Sequence, residues 1–403
     1  MEAPAESVGA ETTFFEEKDV VLSLIKSILG GDSAFDRCFS LLEQHLSKYQ
    51  GKNLCAHDKT STTNNKHQTT TEQPNLLAPH MHDLVDPLND CLLGIVGTID
   101  RSSYSKKNNL HSSNDPQEFE NLHNLCKTIQ LICRVRGFKH VIKLFPHEVE
   151  HLEPCLILLQ SQNQRDYIHW ETRYVLLLWL SILCLIPFDI CSIDSTINRV
   201  STTNMALESL GRSNFVGDAL EIATTYLSDT GPPRDAASIC LSALLTRPDM
   251  EVNYLNEFVS WARGVLNAWS EKSSEEIKDL TPDSFRIIGV LHCLAQIFKR
   301  GHRYKLLPFC ASILRPCVAI SGTDIQTISR QLLTKLLQRM GMTYLPPIIA
   351  VWRYQRGKRS LHDNLHNLKA STNTEAQEGP WKEQEQEQEE EVDLPSEVEE
   401  IIG

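Results

Sequence analysis

The 403-residue sequence predicts an all-α fold, a HEAT/armadillo-like solenoid of stacked helix pairs. Three observations carry that expectation. Apolar residues recur at spacings of three and four through nearly every non-polar stretch, the mark of a helix with one buried face. Glycine and proline break the pattern at intervals that leave room for pairs of helices. Sustained two-residue alternation, the mark of a half-buried strand, is scarce. The length exceeds a typical single core, so several domains or a repeat array is expected.

Taken in order, the stripes are Phe35, Cys38, Phe39, Leu42, Leu46 and Tyr49, then Leu122, Leu125, Cys126, Ile129, Ile132 and Cys133. Leu255, Phe258, Val259, Ala262, Val265, Leu266 and Trp269 follow, and Ile325, Ile328, Leu332, Leu336 and Met340 form a fourth. Stops and starts fall at GGDS (30–33), Gly137, TGPPRD (230–235), LTPD (280–283) and SGTD (321–324). Glycine ends a helix at low steric cost and proline suits the first turn. A weak repeat places a second proline eight residues after a first: Pro79 and Pro87, Pro146 and Pro154, Pro308 and Pro316. The first member can start a helix, and the second kinks it or opens the next, a habit of HEAT arrays.

These breaks divide the chain into an N-terminal helical pair (1–50), a polar insert (51–73), a helical array (74–362) with a polar loop at 100–116, an acidic low-complexity linker (363–393) and the start of a further helix (394–403). That last segment has Ser396 as its N-cap and Glu399 three residues on. A repeat that begins without finishing suggests a fragment or a shortened isoform.

The run VLLLWLSILCLIPF (175–188) carries no charge. A membrane span needs about 20 apolar residues, and a shorter run reads as a buried core helix. Arg173 and Asp189 flank it and Pro187 is expected to stop it, so it is assigned to the inner member of a helix pair with neighbours on both sides.

The net charge of −13 is concentrated in residues 371–403, where twelve acidic side chains face one base, Lys382. The remainder is nearly neutral, which argues against general nucleic-acid binding. Twelve cysteines include no CxxC pair. Three pairs sit seven apart (Cys126 and Cys133, Cys184 and Cys191, Cys310 and Cys317), a helical rise of about 10.5 Å, beyond the reach of a disulfide. Reduced, buried thiols and a cytoplasmic location are expected. The N-terminus lacks a basic region followed by an apolar one, so no secretory signal is read.

HEVEH (147–151) matches H-E-x-x-H, in which His147 and His151 would share a helix face and bind zinc while Glu148 activates water. Pro146 puts the motif at the outset of a helix, Glu150 adds a charge, and no third ligand follows, so no metal is assigned. No phosphate-binding glycine loop and no G-x-S-x-G elbow occurs, and neither a catalytic residue nor a cofactor is expected. In VWRYQRGKRSL (351–361), Arg353, Arg356, Lys358 and Arg359 interleave with Trp352 and Tyr354. Such a segment can anchor an acidic protein partner, stack on single-stranded nucleic acid, or end a solvated helix with Trp352 in the core. The acidic tail would compete for it in cis.

Beyond these patterns, QPNLLAPH (73–80), RVRGFKHVIKLFPHEVEHLEP (134–154), HWETRYVLLLWLSILCLIPFDI (169–190), RDAASICLSALLTRPDM (234–250), LAQIFKRGHR (294–303) and AVWRYQRGKRSL (350–361) resemble the tubulin-folding cofactor D family. The resemblance runs in order over most of residues 35–362, corresponding to that family's N-terminal third. It implies a HEAT-repeat chaperone that captures β-tubulin and works with tubulin-folding cofactors C and E and an Arf-like small GTPase. Their joint task is to assemble or dismantle αβ-tubulin heterodimers. It implies no enzyme activity of the chain's own, GTP being held by tubulin and the small GTPase, whose hydrolysis the complex would assist. The other readings are a generic HEAT adaptor such as a transport receptor and, more remotely, a zinc hydrolase using HEVEH.

Overall fold

The computed structural model describes residues 15–30, 35–50, 73–97, 99, 116–190, 214–251, 254–271, 282–322, 326–345 and 398. Among them every regular element is a helix. We number the α-helices α1 (Lys18–Leu29), α2 (Phe35–Ser47), α3 (Met81–Gly97), α4 (Pro116–Arg136), α5 (Phe138–Val141), α6 (Leu152–Gln160) and α7 (Trp170–Leu183). They continue as α8 (Asn214–Tyr226), α9 (Pro232–Leu245), α10 (Pro248–Glu251), α11 (Tyr254–Ser270), α12 (Pro282–Arg300), α13 (Arg303–Ser321) and α14 (Thr327–Tyr344). Short 3₁₀ segments at Gln73–His80, Ile142–Leu144 and Val149–His151 join some of them.

Packing follows the solenoid rule that each unit buries its apolar face against its neighbours. α6 packs on α7, α8 on α9, α11 on α12 and α13 on α14, while the second members form a row in which α4, α7, α9, α12 and α14 each touch the next. On the other layer α6 touches α8 and α11 touches α13. Among the N-terminal helices, Lys18 of α1 pairs with Asp83 of α3 at 2.7 Å, and Glu43 of α2 pairs with Arg134 of α4, in the row, at 2.6 Å.

The expected punctuation is where the helices begin and end. α4 stops at Arg136 because Gly137 adopts φ 94°, a conformation that L residues rarely reach. α4, α9, α10 and α12 all open on proline, whose missing N–H is unneeded in a first turn. The described cysteines are all free thiols, most of them buried. No described helix is long and apolar enough to cross a membrane.

α7 is the most enclosed helix of the row. Its residues 175–181 are all buried, Trp179 included, because α4, α6, α9 and the 142–144 turn surround it. α9, which packs against both α7 and α12, carries Ala236, Ala237, Ser238, Cys240, Ser242 and Ala243, all buried and all small. Small side chains let α9 lie close to both α7 and α12. The tightest approach is at Gly289 of α12, where a Cβ would sit 2.2 Å from the Leu227 carbonyl oxygen at the end of α8.

Several sequence expectations need correction. The helix in the apolar run ends at Leu183, four residues before Pro187. Arg247, just beyond α9, accounts for the exit path. Its guanidinium donates to the carbonyls of Cys184 (2.6 Å), Ile186 (2.8 Å) and Phe188 (2.6 Å). Asp249 accepts from Arg247 Nε and Nη2, both at 2.9 Å, and from the Ile190 amide at 3.2 Å. Burial works against the Asp249 charge, but these bonds outweigh it and hold the carboxyl below its usual range.

On α14 the buried stripe is Ser329, Leu333, Leu336, Met340 and Thr343: Leu336 and Met340 are buried as expected, while Ile328 is exposed and Leu332 half-buried, so the first half of the stripe lies one position off the predicted register. Ile325 lies outside the described residues. Pro308 and Pro316 both fall inside the single helix α13, and Pro146 starts no helix, since α6 begins at Leu152.

Replacing Arg247 with alanine would leave the half-buried Asp249 without its cation and free three carbonyls at once. We expect a loss of about 3–5 kcal/mol in urea unfolding, against less than about 0.5 kcal/mol for an exposed control such as Arg263→Ala.

Candidate functional site

The residues singled out from the sequence are placed unequally. Trp352, Arg353, Arg356, Lys358 and Arg359 lie outside the described residues. The HEVEH segment is described, and it is not an α-helix. His147 and Glu148 precede the short 3₁₀ turn Val149–His151, so the i, i+4 face that would pair the two histidines does not form. His147 Nδ1 lies 3.3 Å from the Phe145 carbonyl. The groups that converge are instead Glu148, Glu150 and His151, with one ligand atom of each within 4.8 Å of the others. The segment is pinned from below: Trp179 Nε1 donates to the Pro146 carbonyl at 2.7 Å, and the His151 ring lies 6.0 Å from the Trp179 ring. Its evident work is to seat the α5–α6 connection on α7.

A different place has the features of a binding surface. A cleft of about 910 Å³ opens between α1–α4 and the loop entering α7, lined among others by Phe35, Cys91, His123, Lys127, Ile168 and His169. One turn of α2 sets Phe35 and Phe39 in a stack 5.6 Å apart. The Lys127 ammonium from α4 lies 4.7 Å from the Phe39 ring centre and 5.4 Å from that of Phe35, close enough for cation–π attraction.

Behind them sits a polar cluster. His123 Nδ1 is 3.2 Å from Thr172 Oγ1, and its ring meets His169 edge to face at 4.3 Å. His169 Nδ1 makes a short hydrogen bond with Asp166 Oδ2. Burial, then the neighbouring His169 and Lys127, lower the His123 pKa to about 4. Burial also raises the Glu171 carboxyl, whose Oε2 is buried without a hydrogen-bond partner. Burial pushes the Cys126 thiol far up, so it is no ready nucleophile.

The rim of the cleft is the loop between α6 and α7, which sequence reasoning passed over. Asn163 Oδ1 accepts from the Arg165 amide at 3.0 Å and Asp166 Oδ1 from the Ile168 amide at 2.8 Å. Arg173 Nη1 donates to the Asn163 carbonyl at 3.0 Å. This internal bonding fixes a loop that turns Tyr167 (82 % exposed) and Ile168 (59 % exposed) to solvent. The signal available in the sequence was the pair of Asn/Asp residues bonding two positions ahead, in N-Q-R-D-Y-I-H-W.

Because His123 is neutral when folded and takes up a proton near pH 6.5 when unfolded, stability is lost as pH falls from about 6.5 toward 4. His123→Gln keeps a partner for Thr172 and should flatten the fall in melting temperature above pH 4.5. An unchanged pH profile in thermal unfolding would contradict the assignment.

Comparison with known proteins agrees with this frame. A family described as "Tubulin-specific chaperone D-like, ARM repeat" matches residues 68–266, and its companion, "Tubulin-specific chaperone D-like, ARM repeats", matches residues 328–403. Among curated relatives, "Tubulin-specific chaperone D" of Dictyostelium discoideum is 27% identical, over 71% of this chain and 24% of its own length. "Tubulin-folding cofactor D" of Schizosaccharomyces pombe (strain 972 / ATCC 24843) is 25% identical, over 55% of this chain and 18% of its own length. The chain thus spans about a quarter or less of these relatives. No solved structure matches it. The two family matches together take in more than half of the residues, and the chain belongs to the tubulin-specific chaperone D-like family of ARM-repeat proteins.

Proposed function

We propose that this chain is a non-catalytic scaffold of a tubulin-folding chaperone, which binds β-tubulin and stabilises a state that free tubulin seldom populates. The observation that carries the reading is the family match over residues 68–266, the span that includes most of the cleft and its rim. In this reading the chain works in the cytoplasm, in association with microtubules, with tubulin-folding cofactors C and E and an Arf-like small GTPase. It contributes to heterodimer assembly and disassembly, and to stimulating GTP hydrolysis by tubulin within the cofactor complex.

Two surfaces are assigned to partner contact. Tyr167 and Ile168 supply apolar area on a loop already ordered by its own hydrogen bonds, so little conformational entropy is lost on docking. Trp352, Arg353, Arg356, Lys358 and Arg359 are assigned to acidic partner surface on grounds of charge.

Co-purification tests the reading. The 403-residue chain is expected to retain β-tubulin from cell extract, and Tyr167→Ala with Ile168→Asp to weaken that retention at least tenfold without changing the melting temperature. Failure of the full-length family member to retain tubulin would sink the reading. Full retention by the double variant would remove the loop from the contact.

A further inference from the structure

The cleft beside the α6–α7 loop is lined by two chemically distinct kinds of surface. α1, α2 and α3 give it Ile28, Leu29, Phe35, Cys91 and Ile95, all apolar and half-buried. α4 gives it a row of carboxamides, Gln117, Asn121 and Asn124, followed by Lys127. Spacings of four and three residues set the three carboxamides on one face of the helix. Gln117 Nε2 donates to Asn121 Oδ1 at 3.4 Å, which aligns the first two and leaves the Asn121 N–H groups out of that bond. Lys127 lies against the Phe35 and Phe39 rings, which holds its ammonium at the end of the row.

A carboxamide carries donors and an acceptor together, as a peptide group does. A row of them can therefore pair with the N–H and C=O groups of a main chain, whatever its side chains. An extended segment offers those groups, whereas a helix uses its own internally. The carboxamides recur about every 5–6 Å along α4, and the main-chain groups on one edge of an extended segment about every 6.6 Å. From Gln117 to Lys127 the helix rises about 15 Å, the length of four or five extended residues. Charge sets the direction. Lys127 favours a carboxylate at its own end of the row, while Glu120, two turns earlier, repels one at the other end. Asp36 and Arg37, adjacent on α2, offset one another.

We infer that the cleft binds an extended segment of a partner protein, its main chain paired with Gln117, Asn121 and Asn124 and a single carboxylate set against Lys127. Successive side chains of such a segment point to opposite sides, so apolar residues at alternate positions meet the surface from α1, α2 and α3. Ile168 both lines the cleft and stands exposed on its rim. The segment therefore belongs to the partner that docks on the rim, a step that rests on the reading of Tyr167 and Ile168 as partner surface. A nucleic acid fits less well, since a run of phosphates would meet Glu120 as well as Lys127.

The test is selection of random hexapeptides displayed on phage against the full 403-residue chain, then fluorescence anisotropy of the enriched peptide carrying fluorescein. Enriched sequences should place apolar residues at alternate positions and one Asp or Glu at a fixed end. Methylating the backbone nitrogens of that peptide should weaken binding at least tenfold. Asn121→Ala with Asn124→Ala, which favours the helix and so leaves α4 folded, should cost as much, and Arg263→Glu, exposed on α11, should leave affinity within twofold. Lys127→Glu should switch the selected end residue from an acid to a base, which loss of a merely structural lysine would not do. No enrichment, no shared pattern, or affinity that survives methylation or the asparagine substitutions would overturn the inference. A dimer of the chain in sedimentation that the asparagine variant dissociates would give the cleft to a second copy instead. Tubulin retention without peptide binding would sink this assignment and leave the scaffold reading standing; peptide binding without tubulin retention would do the reverse.

Discussion

The Arg247 guanidinium decides how the central helices connect. One side chain at the end of α9 takes up the carbonyls of Cys184, Ile186 and Phe188 beyond the end of α7 and shares Asp249 with the Ile190 amide. A helix leaves its last four carbonyls without intrahelical partners, and a helix as enclosed as α7 cannot leave them all to water. The amides that follow meet part of this need, Cys184 bonding the Leu180 carbonyl at 2.9 Å and Leu185 that of Ile182 at 2.8 Å; the guanidinium fork takes up the carbonyls just beyond the helix, at an end where positive charge is favoured, while Asp249 keeps the cation from being buried alone. α7 therefore stops where Arg247 can reach its end, which ties the C-terminal ends of α7 and α9 in one register.

That register propagates along the row. α9 is built of small residues and lies close to α7 on one side and α12 on the other, while Gly289 admits the end of α8. Change the offset between α7 and α9, and these close approaches become collisions, because packed interiors have few voids to absorb a shift. The same register carries the surface features. Thr172 and Arg173, which hold His123 and the Asn163 carbonyl, are part of the first turn of α7. The cleft rim and the α6–α7 loop are thus positioned from one end of the helix that Arg247 fixes at the other.

Much of the fold was legible in the sequence. The stripes on α2, α4 and α11, the Gly137 stop and the proline starts follow from helix periodicity and from the backbone limits of two residue types, which act locally. The misses have a common cause. Pro187 is a local stop signal, but the helix end was set earlier by Arg247, about sixty residues away. Ile328 and Leu333 have similar hydrophobicity, and which of them faces inward on α14 depends on how α12 and α13 lie against it. HEVEH satisfies a spacing rule that holds only on a helix, and Trp179 holds Pro146 where a 3₁₀ turn forms instead. Of the site, the sequence showed that nucleotide and nucleophile motifs were missing. It gave only a weak local signal for the α6–α7 loop, in the turns of Asn163 and Asp166, and none for the meeting of His123 with Thr172 and His169, which packing between α4 and the start of α7 produces.

Native-state hydrogen exchange, read by mass spectrometry on peptides covering α7 and α9, tests the central claim most directly. If the two helices are fixed to one another through their C-terminal ends, their interior amides should open with the same free energy. That value should match global unfolding, while α1 and α2 exchange through smaller openings. Exchange of α7 at a markedly lower free energy than α9 would show that the helices open separately, and that the register on which the surfaces depend is set elsewhere.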